Sequence, residues 1–543
     1  MNQLTMFEWM SEIDPVLIAR ASAPVKRSSG FRAVLIIAAV VAILIIALTM
    51  TAVFTLDSYV EQRYEDYDGT ILHALDIVLT QDDNPISNLL FEQNKKALHA
   101  LFDALRGVME NDETQTQEEQ SEIMGSKGLQ YTSNGDGTCV VVGIGSCTDT
   151  HVEIPAYSPE GDRVVEIGSM AFANLFSMQR CTVPDGVISI QISAFNCCVD
   201  LERIDLPDTL ESIGAYAFRN CSKLEQIAIP FSVTNIDDYA FENCTTLKQI
   251  KIPDSVTDIG ESVFLSCTSL QSIEIPDGIK VIGVAWFQHC TGLTDVTIPA
   301  SVTEIDDKAF WGCSGLTKVI IPGKIDHIGE KAFDSCTGLI SVKFDNSKGL
   351  HIDHSAFSGC TALTDVTFPD DMSLLGQKAF YGCTGLTEIT INNADIGIES
   401  FGKCTGLTSI TLGSGAHMNY RSFRGCNNVT SITVSQSNKN ISGSGNCLVL
   451  TDATVRLVLG CRNTEIPDGV SRIVDYAFQN CDGLTEIYIP QSVKTIDTYA
   501  FEGCTSLTDV YYEGTEQEWG AVSHNDVFSS VTIHFNCASK PQT

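Results

Sequence analysis

The sequence predicts a solenoid, an array of short repeats stacked side by side, and two observations carry this prediction. First, phenylalanine recurs every 23 residues, at Phe172, Phe195, Phe218, Phe241, Phe264, Phe287, Phe310 and Phe333. Second, nearly the same pattern surrounds each of them, and in residues 224–244 it reads LEQIAIPFSVTNIDDYAFENC. Because a unit of this length cannot bury its own apolar face, it must stack on copies of itself.

Length and charge restrict the class of protein further. The chain has 543 residues, which is too long for one compact core and agrees with an array. Its formal charge is −35, and residues 33–543 hold 29 lysines and arginines against 65 aspartates and glutamates. So acidic a body repels nucleic acid and anionic lipid. We therefore expect no nucleic acid partner and interpret the surplus acid as a surface that keeps a long array soluble.

Residues 1–32 are predicted to be a short cytosolic tail that precedes a membrane anchor at residues 33–56. The segment AVLIIAAVVAILIIALTMTAVFTL holds no charge. As a helix rising about 1.5 Å per residue, it is long enough to cross a hydrocarbon core of about 30 Å. Lys26, Arg27 and Arg32 precede it and acidic residues follow it, so the N-terminus is expected in the cytoplasm and the body outside the plasma membrane. A cleaved signal peptide is the competing interpretation, but the leader is long and no small-x-small cleavage site follows.

Residues 57–128 are predicted to form a helical stalk that ends in an acidic linker. Apolar residues recur at steps of three and four between Ile86 and Met109, which is typical of an amphipathic helix. The run ENDETQTQEEQSE, residues 110–122, is polar and acidic enough for a linker. The apolar stripe is suited to pairing helices within one chain or between two chains, so a homo-oligomer through the stalk stays open.

The outer domain is predicted to follow, with a cap at each end of the array. Residues 129–170 form a β cap, in which NGDG at 134–137 is a hairpin turn between two strand-like runs. The solenoid spans residues 171–510 with fourteen Ala-Phe-like repeats, and a hairpin insertion near residues 435–466 interrupts it. Residues 511–543 break the pattern and form the C-terminal cap.

Within each repeat, the leucine, the isoleucines, the valine and the phenylalanine are spaced to point inward and to form apolar columns. The phenylalanine column is expected to contribute most, since burying an aromatic ring is worth about 3 kcal/mol. Proline ends the short strand, because it has no N–H to donate to the next repeat. The residues predicted as structural core are Phe218, Phe241, Phe264, Phe287, Phe310, Phe333, Cys221, Cys244 and Cys267.

Thirteen of the twenty cysteines stand three residues after the repeated phenylalanine. Neighbouring strands hold side chains about 4.8 Å apart, whereas a disulfide requires Cβ atoms about 3.8 Å apart. A single column also cannot place four thiolates tetrahedrally around zinc. We therefore expect buried thiols that donate weakly to loop carbonyls. Cys447 and Cys461 are a disulfide candidate, because a hairpin turn near residues 452–454 places them nearly opposite one another; Cys139 with Cys147 is a second candidate.

The repeat pattern, the opening YTSNGDGTC…GIGSCTDT…IP and the closing YYEGT…QEW…VTIHFN together resemble the BspA-like leucine-rich repeat surface proteins of bacteria. The resemblance covers about residues 129–537. The insertion SGNCLVLTDATVRLVLGCRNTEIPDGV, residues 444–470, is similar to the hairpin that interrupts such arrays. The resemblance implies a right-handed, curved leucine-rich-repeat solenoid of short parallel strands at the cell surface, in a family associated with adhesion to host proteins or other cells.

Side chains that point outward from the strands are candidates for ligand contacts. Later repeats present mainly threonine, which covers an exposed sheet well, whereas earlier repeats present charged residues suited to protein or glycan recognition. The charged candidates are Lys248, Lys251, Lys318 and Lys343. The aromatic candidates, which interrupt repeat columns, are Trp286, Trp311 and Tyr381. A tryptophan that only fills local space fits the sequence equally well.

Nothing in the sequence indicates catalysis, and we expect no enzyme, cofactor or metal centre. No G-x-S-x-G, H-E-x-x-H, P-loop or dinucleotide pattern occurs, and His351 and His354 stand close in sequence without further ligands. The sequence therefore predicts a membrane-anchored surface protein that binds protein or glycan in adhesion or in cell–cell or host contact. Two alternatives remain: a structural envelope protein that oligomerises through its stalk, and a surface sensor that signals through the N-terminal tail.

Overall fold

The structure, a computed structural model, describes residues 125–345, 348–524 and 528–538. The predicted cytosolic tail, the predicted membrane segment and the predicted stalk up to residue 124 lie outside the described residues. Among the residues that are described, no helix has the length and apolar character that a membrane crossing requires.

The described chain is built almost entirely from very short strands. The N-terminal part contains β1 (Gln130–Ser133), β2 (Thr138–Gly143), β3 (His151–Glu153) and β4 (Arg163–Ile167). The regular repeats contain β5 (Arg180–Thr182), β6 (Ser189–Ile190), β7 (Arg203–Asp205), β8 (Ser212–Ile213), β9 (Gln226–Ala228), β10 (Asn235–Ile236), β11 (Gln249–Lys251), β12 (Asp258–Ile259), β13 (Ser272–Glu274), β14 (Val281–Ile282), β15 (Asp295–Thr297), β16 (Glu304–Ile305), β17 (Lys318–Ile321), β18 (His327–Ile328), β19 (Ser341–Phe344), β20 (Lys348–Ile352), β21 (Asp365–Thr367) and β22 (Asp371–Leu375). The last part contains β23 (Glu388–Ile396), β24 (Ser409–Met418), β25 (Ser431–Val434), β26 (Ile441–Ser442), a 3-10 turn (Ser444–Asn446), β27 (Leu448–Leu450), β28 (Arg456–Leu459), β29 (Arg472–Ile473), β30 (Glu486–Ile489), β31 (Thr495–Ile496), β32 (Asp509–Tyr512), the helix α1 (Glu516–Trp519) and β33 (Thr532–His534).

The two strands of each repeat form two rows along the array. From β3 to β22, the odd-numbered strands make the first row and the even-numbered strands the second row. Strands pair in parallel with a register of one repeat, so that Gln226 lies beside Gln249 and Gln249 beside Ser272. β23 and β24 pair with each other along both rows. The predicted solenoid of short parallel strands is confirmed.

A third ladder runs along the turns that carry the repeated phenylalanine. In most repeats the residues two before and two after the phenylalanine adopt the left-handed conformation, as at Tyr216 (φ 58°) and Asn220 (φ 59°). The amides of Tyr216, Phe218 and Asn220 consequently all donate to carbonyls of the next repeat, at 2.9, 2.8 and 2.8 Å. A left-handed residue with a side chain costs about 1–2 kcal/mol, and these hydrogen bonds between repeats offset that cost.

The repeated phenylalanines form a continuous stack inside the coil. All six phenylalanines predicted as core are fully buried. Neighbouring ring centroids lie 5.4 Å apart for Phe218 and Phe241 and 5.0 Å apart for Phe310 and Phe333, with nearly parallel planes. The stack continues to Phe423. Because each ring contacts only the rings of adjacent repeats, the core is one-dimensional.

The hairpin insertion interrupts this stack. β27 and β28 pair antiparallel, and β28 then pairs in parallel with β29, so the insertion joins the second row. Directly after β28, the amide of Gly460 donates to the carbonyl of Ala477 (2.8 Å), the hydrogen bond that a repeated phenylalanine makes elsewhere. A Cβ at Gly460 would lie 2.1 Å from Cε1 of Phe478, so glycine is required there. The insertion therefore supplies a second-row strand but no phenylalanine turn.

Caps cover both ends of the described array. β1 and β2 form the antiparallel hairpin that the NGDG turn predicts. At the other end, Thr515 and Glu518 form a capping box that starts α1, and the helix buries Trp519 against Tyr512, with ring centroids 4.9 Å apart. β33 then adds a last parallel strand beside β32.

Candidate functional site

The first row presents two columns of outward side chains, which we call the first-row face. In the three-residue strands from β3 to β15 the middle residue is buried and its two neighbours are exposed, as in Gln226-Ile227-Ala228. Because the strands pair in register, these exposed residues align from repeat to repeat. One column contains Gln226, Gln249, Ser272 and Asp295, and the other contains Ala228, Lys251, Glu274 and Thr297.

The first-row face is hollowed across β7, β9, β11 and β13. The depression has a volume of about 570 Å³ and is bordered by Arg203, Asp205, Lys251 and Glu274. Ala228, whose side chain is the shortest on these strands, lies at its centre between β7 and β11. Arg203 binds Asp205 of its own strand (Nη2 to Oδ1, 2.7 Å), whereas Lys251 has no ion-pair partner among the described residues.

The four lysines predicted as ligand contacts are all exposed on the side of the first row. Lys248 binds Glu225 of the preceding repeat (Nζ to Oε2, 2.9 Å), and Lys343 lies 3.8 Å from the carboxylate of Asp345. Two strands, β13 and β15, separate Lys248 and Lys251 from Lys318. The structure therefore brings the lysines onto one face but divides them between two positions along it.

Trp286 is not the exposed anchor that the sequence predicts. Its side chain is only 2 % exposed and packs edge-on against Phe287, with ring centroids 6.2 Å apart. It occupies the column of Ala240, which is fully buried, so a larger residue in that column extends into the core. A Cβ at Gly283 would lie 2.5 Å from the indole Nε1, so glycine there leaves room for the ring. Trp286 fills local space.

Trp311 and Tyr381 are half-buried and do not meet. Trp311 packs against His289, with ring centroids 5.1 Å apart. Tyr381 lies between Lys378 and Lys403, whose Nζ atoms are 5.4 and 5.5 Å from its ring centre. Two further repeats separate the aromatic residues along their common column. They therefore do not form one aromatic patch, and their role as ligand contacts stays a prediction.

The threonines of the later repeats support the sheet. Thr408 donates from Oγ1 to the carbonyl of Thr387 in the preceding repeat (3.0 Å), and Thr430 donates in the same way to Thr408 (3.3 Å). Each hydroxyl thus adds a side-chain hydrogen bond between adjacent strands.

The column cysteines donate to carbonyls of the preceding repeat. Sγ of Cys244 lies 3.2 Å from the carbonyl oxygen of Phe218, and Sγ of Cys267 lies 3.2 Å from that of Phe241. The predicted core cysteines, Cys221 included, are fully buried. Burial raises the pKa of the Cys267 thiol to about 12. These cysteines therefore act as small buried donors.

Neither predicted disulfide is present, since all twenty cysteines are free thiols. Cys447 donates to the carbonyl of Ser444 (3.2 Å), and Cys461 donates to that of Asn446 (3.3 Å). Leu448 pairs with Leu459, so the next step along this antiparallel ladder places Cys447 opposite Gly460 and out of line with Cys461. Cys139 donates to Asp162 (3.5 Å), apart from Cys147.

Burial of the thiols predicts selective alkylation. Iodoacetamide at pH 8 should modify the half-buried Cys197 in the folded chain and leave its buried neighbour Cys198 unmodified until the chain unfolds. Burial raises the pKa of Cys198 to about 12, so only about one thiol in ten thousand is ionised at pH 8. Mass spectrometry of peptides after timed labelling measures both rates. Equal rates in the folded chain would contradict the buried column.

A histidine on the second row lies between two carboxylates. His327 binds Glu304 through Nδ1 (2.9 Å) and Asp353 through Nε2 (3.0 Å), and its ring meets His351 edge-on at 5.6 Å. Burial alone would lower the pKa of His327, but the hydrogen bonds to the two carboxylates raise it above its ordinary value of 6.5. His354 contacts Ser355 instead (3.3 Å). The structure therefore does not bring His351 and His354 together as a pair that faces one ligand.

The raised pKa of His327 predicts a pH-dependent contribution to stability. The folded chain holds this proton more tightly than the unfolded chain, so the contribution is complete below about pH 6.5 and is lost as the pH rises through the folded-state value. His327→Gln should therefore destabilise the chain at pH 5.5 more than at pH 8.5 in urea unfolding. His151→Gln, which changes a histidine of β3 without a carboxylate partner in the described chain, should show no such difference.

The comparisons with known proteins identify the repeat. The family model described as the BspA type leucine-rich repeat region, with six copies, matches residues 150–271, 257–351, 346–447 and 459–538. A leucine-rich repeat protein from Bacteroides ovatus is 24 % identical over 75 % of this chain and 98 % of its own length, with a TM-score of 0.54. This likeness supports the solenoid fold.

Two further solved structures match this chain with lower structural similarity. A leucine-rich cell surface protein from Faecalibacterium prausnitzii is 26 % identical over 73 % of this chain and 96 % of its own, with a TM-score of 0.39. The pneumococcal vaccine antigen PcpA is 17 % identical over 77 % and 97 %, with a TM-score of 0.36. Comparison with curated proteins gives no match. From the repeat pattern, the parallel rows and the matched family model, the chain belongs to the BspA-type leucine-rich repeat family.

Proposed function

We propose that this chain is a membrane-anchored cell-surface protein that binds a protein or glycan ligand through its first-row face, in adhesion to a host or a neighbouring cell. A leucine-rich repeat solenoid is a binding scaffold, which offers a long ordered face for recognition. The uncharged segment at residues 33–56 supports the anchor, and the positive residues before it support an outward-facing array.

The observation that carries the proposal is the depression around Ala228. Its border contains two basic side chains, Arg203 and Lys251, and two acidic side chains, Asp205 and Glu274. The border therefore offers a ligand both hydrogen-bond donors and hydrogen-bond acceptors. The ion pair between Arg203 and Asp205 is about half exposed at both partners, so it costs little to exchange for ligand contacts. The strands beneath are hydrogen-bonded to neighbours, which fixes the backbone positions from which these side chains project before the ligand arrives.

The test displays the full-length chain on cells and measures its binding to three kinds of probe: extracellular-matrix proteins, mucin glycans and whole cells. We expect saturable binding to at least one probe, weakened about tenfold by Lys248→Glu with Lys251→Glu. Lys318→Glu with Lys343→Glu, the same charge change further along the face, should leave it unchanged. Loss of probe binding only in the variant Lys318→Glu with Lys343→Glu would show that the site lies further along the first-row face. No binding to any probe would overturn the proposal and favour the oligomerising stalk.

The anchor is tested separately by fractionating cells that express the chain with and without residues 33–56. The intact chain is expected in the membrane fraction and open to protease added outside intact cells. Recovery of the intact chain in a soluble fraction would contradict the anchor without affecting the binding face.

A further inference from the structure

We propose that the cleft beside the hairpin insertion is a second binding site, and that it takes a neutral oligosaccharide. This insertion cleft has a volume of about 520 Å³ and lies on the second row. Its principal lining residues are Tyr420, Arg421, Arg456, Arg472, Asp475 and Tyr499. It shares no lining residue with the depression on the first-row face, so either site can fail while the other holds.

The insertion creates the cleft because it adds a second-row strand without a phenylalanine turn. The turns before and after the insertion therefore contact each other across the missing turn. Arg421 donates to Asp475, which is 54 residues further along the chain. The guanidinium carbon of Arg424 lies 3.7 Å from the ring centre of Tyr476. These contacts bridge the gap and hold its walls in place, while the space between them stays open to solvent.

Two carboxylates of the cleft lie deeper than the arginines that they bind. The side chain of Asp475 is 18 % exposed, against 36 % for Arg421, and that of Asp497 is 17 % exposed, against 50 % for Arg472. Asp497 also accepts a hydrogen bond from the amide of Asp475 (3.0 Å). The acids thus orient the guanidinium groups from below, and the further N–H groups of the arginines are available at the cleft.

Two of these arginines have donor capacity that the described protein does not use. The Nε atoms of Arg421 and Arg456 are buried and have no hydrogen-bond partner among the described residues. An unsatisfied donor is costly in a folded chain. These two Nε atoms are themselves covered by protein, so ligand contacts fall to the exposed parts of the arginine side chains, which are 36 % exposed in Arg421 and 50 % exposed in Arg472.

Charge balance selects the class of ligand. Three of the nine arginines after residue 124 line the cleft, a fourth, Arg424, stands beside it on Tyr476, and each of the four is paired with one carboxylate. The pairs are Arg421 with Asp475, Arg424 with Glu399, Arg456 with Asp452, and Arg472 with Asp497. The cleft is therefore close to neutral, which disfavours a polyanion, and its charged walls disfavour an apolar peptide. Sugar hydroxyls both donate and accept, as these paired groups do.

An exposed aromatic ring at the rim of the cleft, that of Tyr499, is also suited to binding a sugar. Tyr499 is 50 % exposed and stacks on Tyr476, with ring centroids 5.4 Å apart and planes within 7°. The exposed ring offers an apolar face to sugar C–H groups, and its hydroxyl offers a polar edge. Tyr216 and Tyr239 form the same stack at the same repeat position, 5.0 Å apart and within 7°, away from the cleft. Tyr239 is therefore a matched control for Tyr499, because it belongs to an equivalent stack outside the cleft.

The test applies the full-length chain to an array of neutral, sialylated and sulfated oligosaccharides, followed by calorimetric titration of the strongest neutral binder. Tyr499→Ala should weaken its binding about tenfold, and Tyr239→Ala should leave it unchanged. Both variants should melt at the same temperature, because each removes one ring of an equivalent stack. The variant Lys248→Glu with Lys251→Glu should keep this binding, which separates the two sites.

Three results would overturn the proposal. They are failure of every neutral oligosaccharide to bind, wild-type affinity in Tyr499→Ala, and tighter binding of sialylated or sulfated sugars than of neutral ones. If Tyr499→Ala melts lower than Tyr239→Ala, Tyr420→Ala is the second variant. Unchanged sugar affinity in Tyr420→Ala would then also contradict the site.

Discussion

Replacing Phe264 with alanine is expected to lower the free energy of unfolding by about 4 kcal/mol. Phe264 is fully buried and stacks on both neighbours, with ring centroids 5.7 Å from Phe241 and 5.6 Å from Phe287. The substitution removes the ring and leaves a cavity that both adjacent repeats line. Because repeats interact only with their neighbours, the loss weakens two interfaces at once. Urea unfolding of the full-length chain, followed by circular dichroism, measures the effect.

The matched control is Phe231→Ala. Phe231 is 74 % exposed in the turn between the two rows, so its replacement should change the free energy of unfolding by less than about 0.5 kcal/mol. The urea transition of Phe264→Ala should also broaden, as the array on each side of the cavity begins to unfold separately. A loss below about 1 kcal/mol in Phe264→Ala would contradict the continuous stack.

Replacing Gly445 with alanine is expected to detach the hairpin insertion from the array. Gly445 has a φ of +69°, and a Cβ there would lie 1.8 Å from the carbonyl oxygen of Glu465. The same pair of residues forms a hydrogen bond, from the amide of Glu465 to the carbonyl of Gly445 (2.8 Å), so neither backbone can move without breaking it. The left-handed conformation costs about 1–2 kcal/mol and the close contact about 1–3 kcal/mol more.

Gly382→Ala separates these two costs. Gly382 has nearly the same φ, +72°, with no atom within 4 Å of the added Cβ, so only the conformational cost applies. Hydrogen exchange at the amides of Leu448–Leu450 should accelerate in Gly445→Ala and stay unchanged in Gly382→Ala. Equal destabilisation by the two substitutions would show that the contact with Glu465 is relieved without cost.

The period of the sequence is sufficient to predict the parallel strands of the first row, the buried phenylalanines and the place of the insertion, whereas the second row was not predicted. The same period also indicates that Trp286 is buried, although the residue was interpreted as an exposed ligand contact. The Trp286 column contains Ala217 and Ala240, and a column of small residues beside a buried phenylalanine indicates an interior position. A large residue in such a column is therefore expected to fill the core. The predicted Cys447–Cys461 disulfide is wrong for a different reason, because the pairing of Leu448 with Leu459 places Cys447 opposite Gly460, one residue short of Cys461.

Two features could not be predicted from local sequence. The left-handed turn positions hold Tyr216, Lys308 and Glu399, residues without a preference for positive φ, because hydrogen bonds to the next repeat decide the conformation. The insertion cleft joins Arg421 to Asp475 across 54 residues, which only the folded hairpin brings together. The one available signal was compositional, namely the concentration of arginines between residues 421 and 472 of a strongly acidic chain.

The uniform register of the regular repeats has a genetic consequence. Asn235 pairs with Ser212 on one side and Asp258 on the other in the same geometry, so neighbouring repeats present interchangeable surfaces. Unequal recombination that removes or duplicates 23 codons joins two surfaces that already fit, and the reading frame is kept. The gene can therefore lengthen or shorten its array in single events between residues 172 and 333, whereas the irregular stretch around the insertion cannot change length in this way.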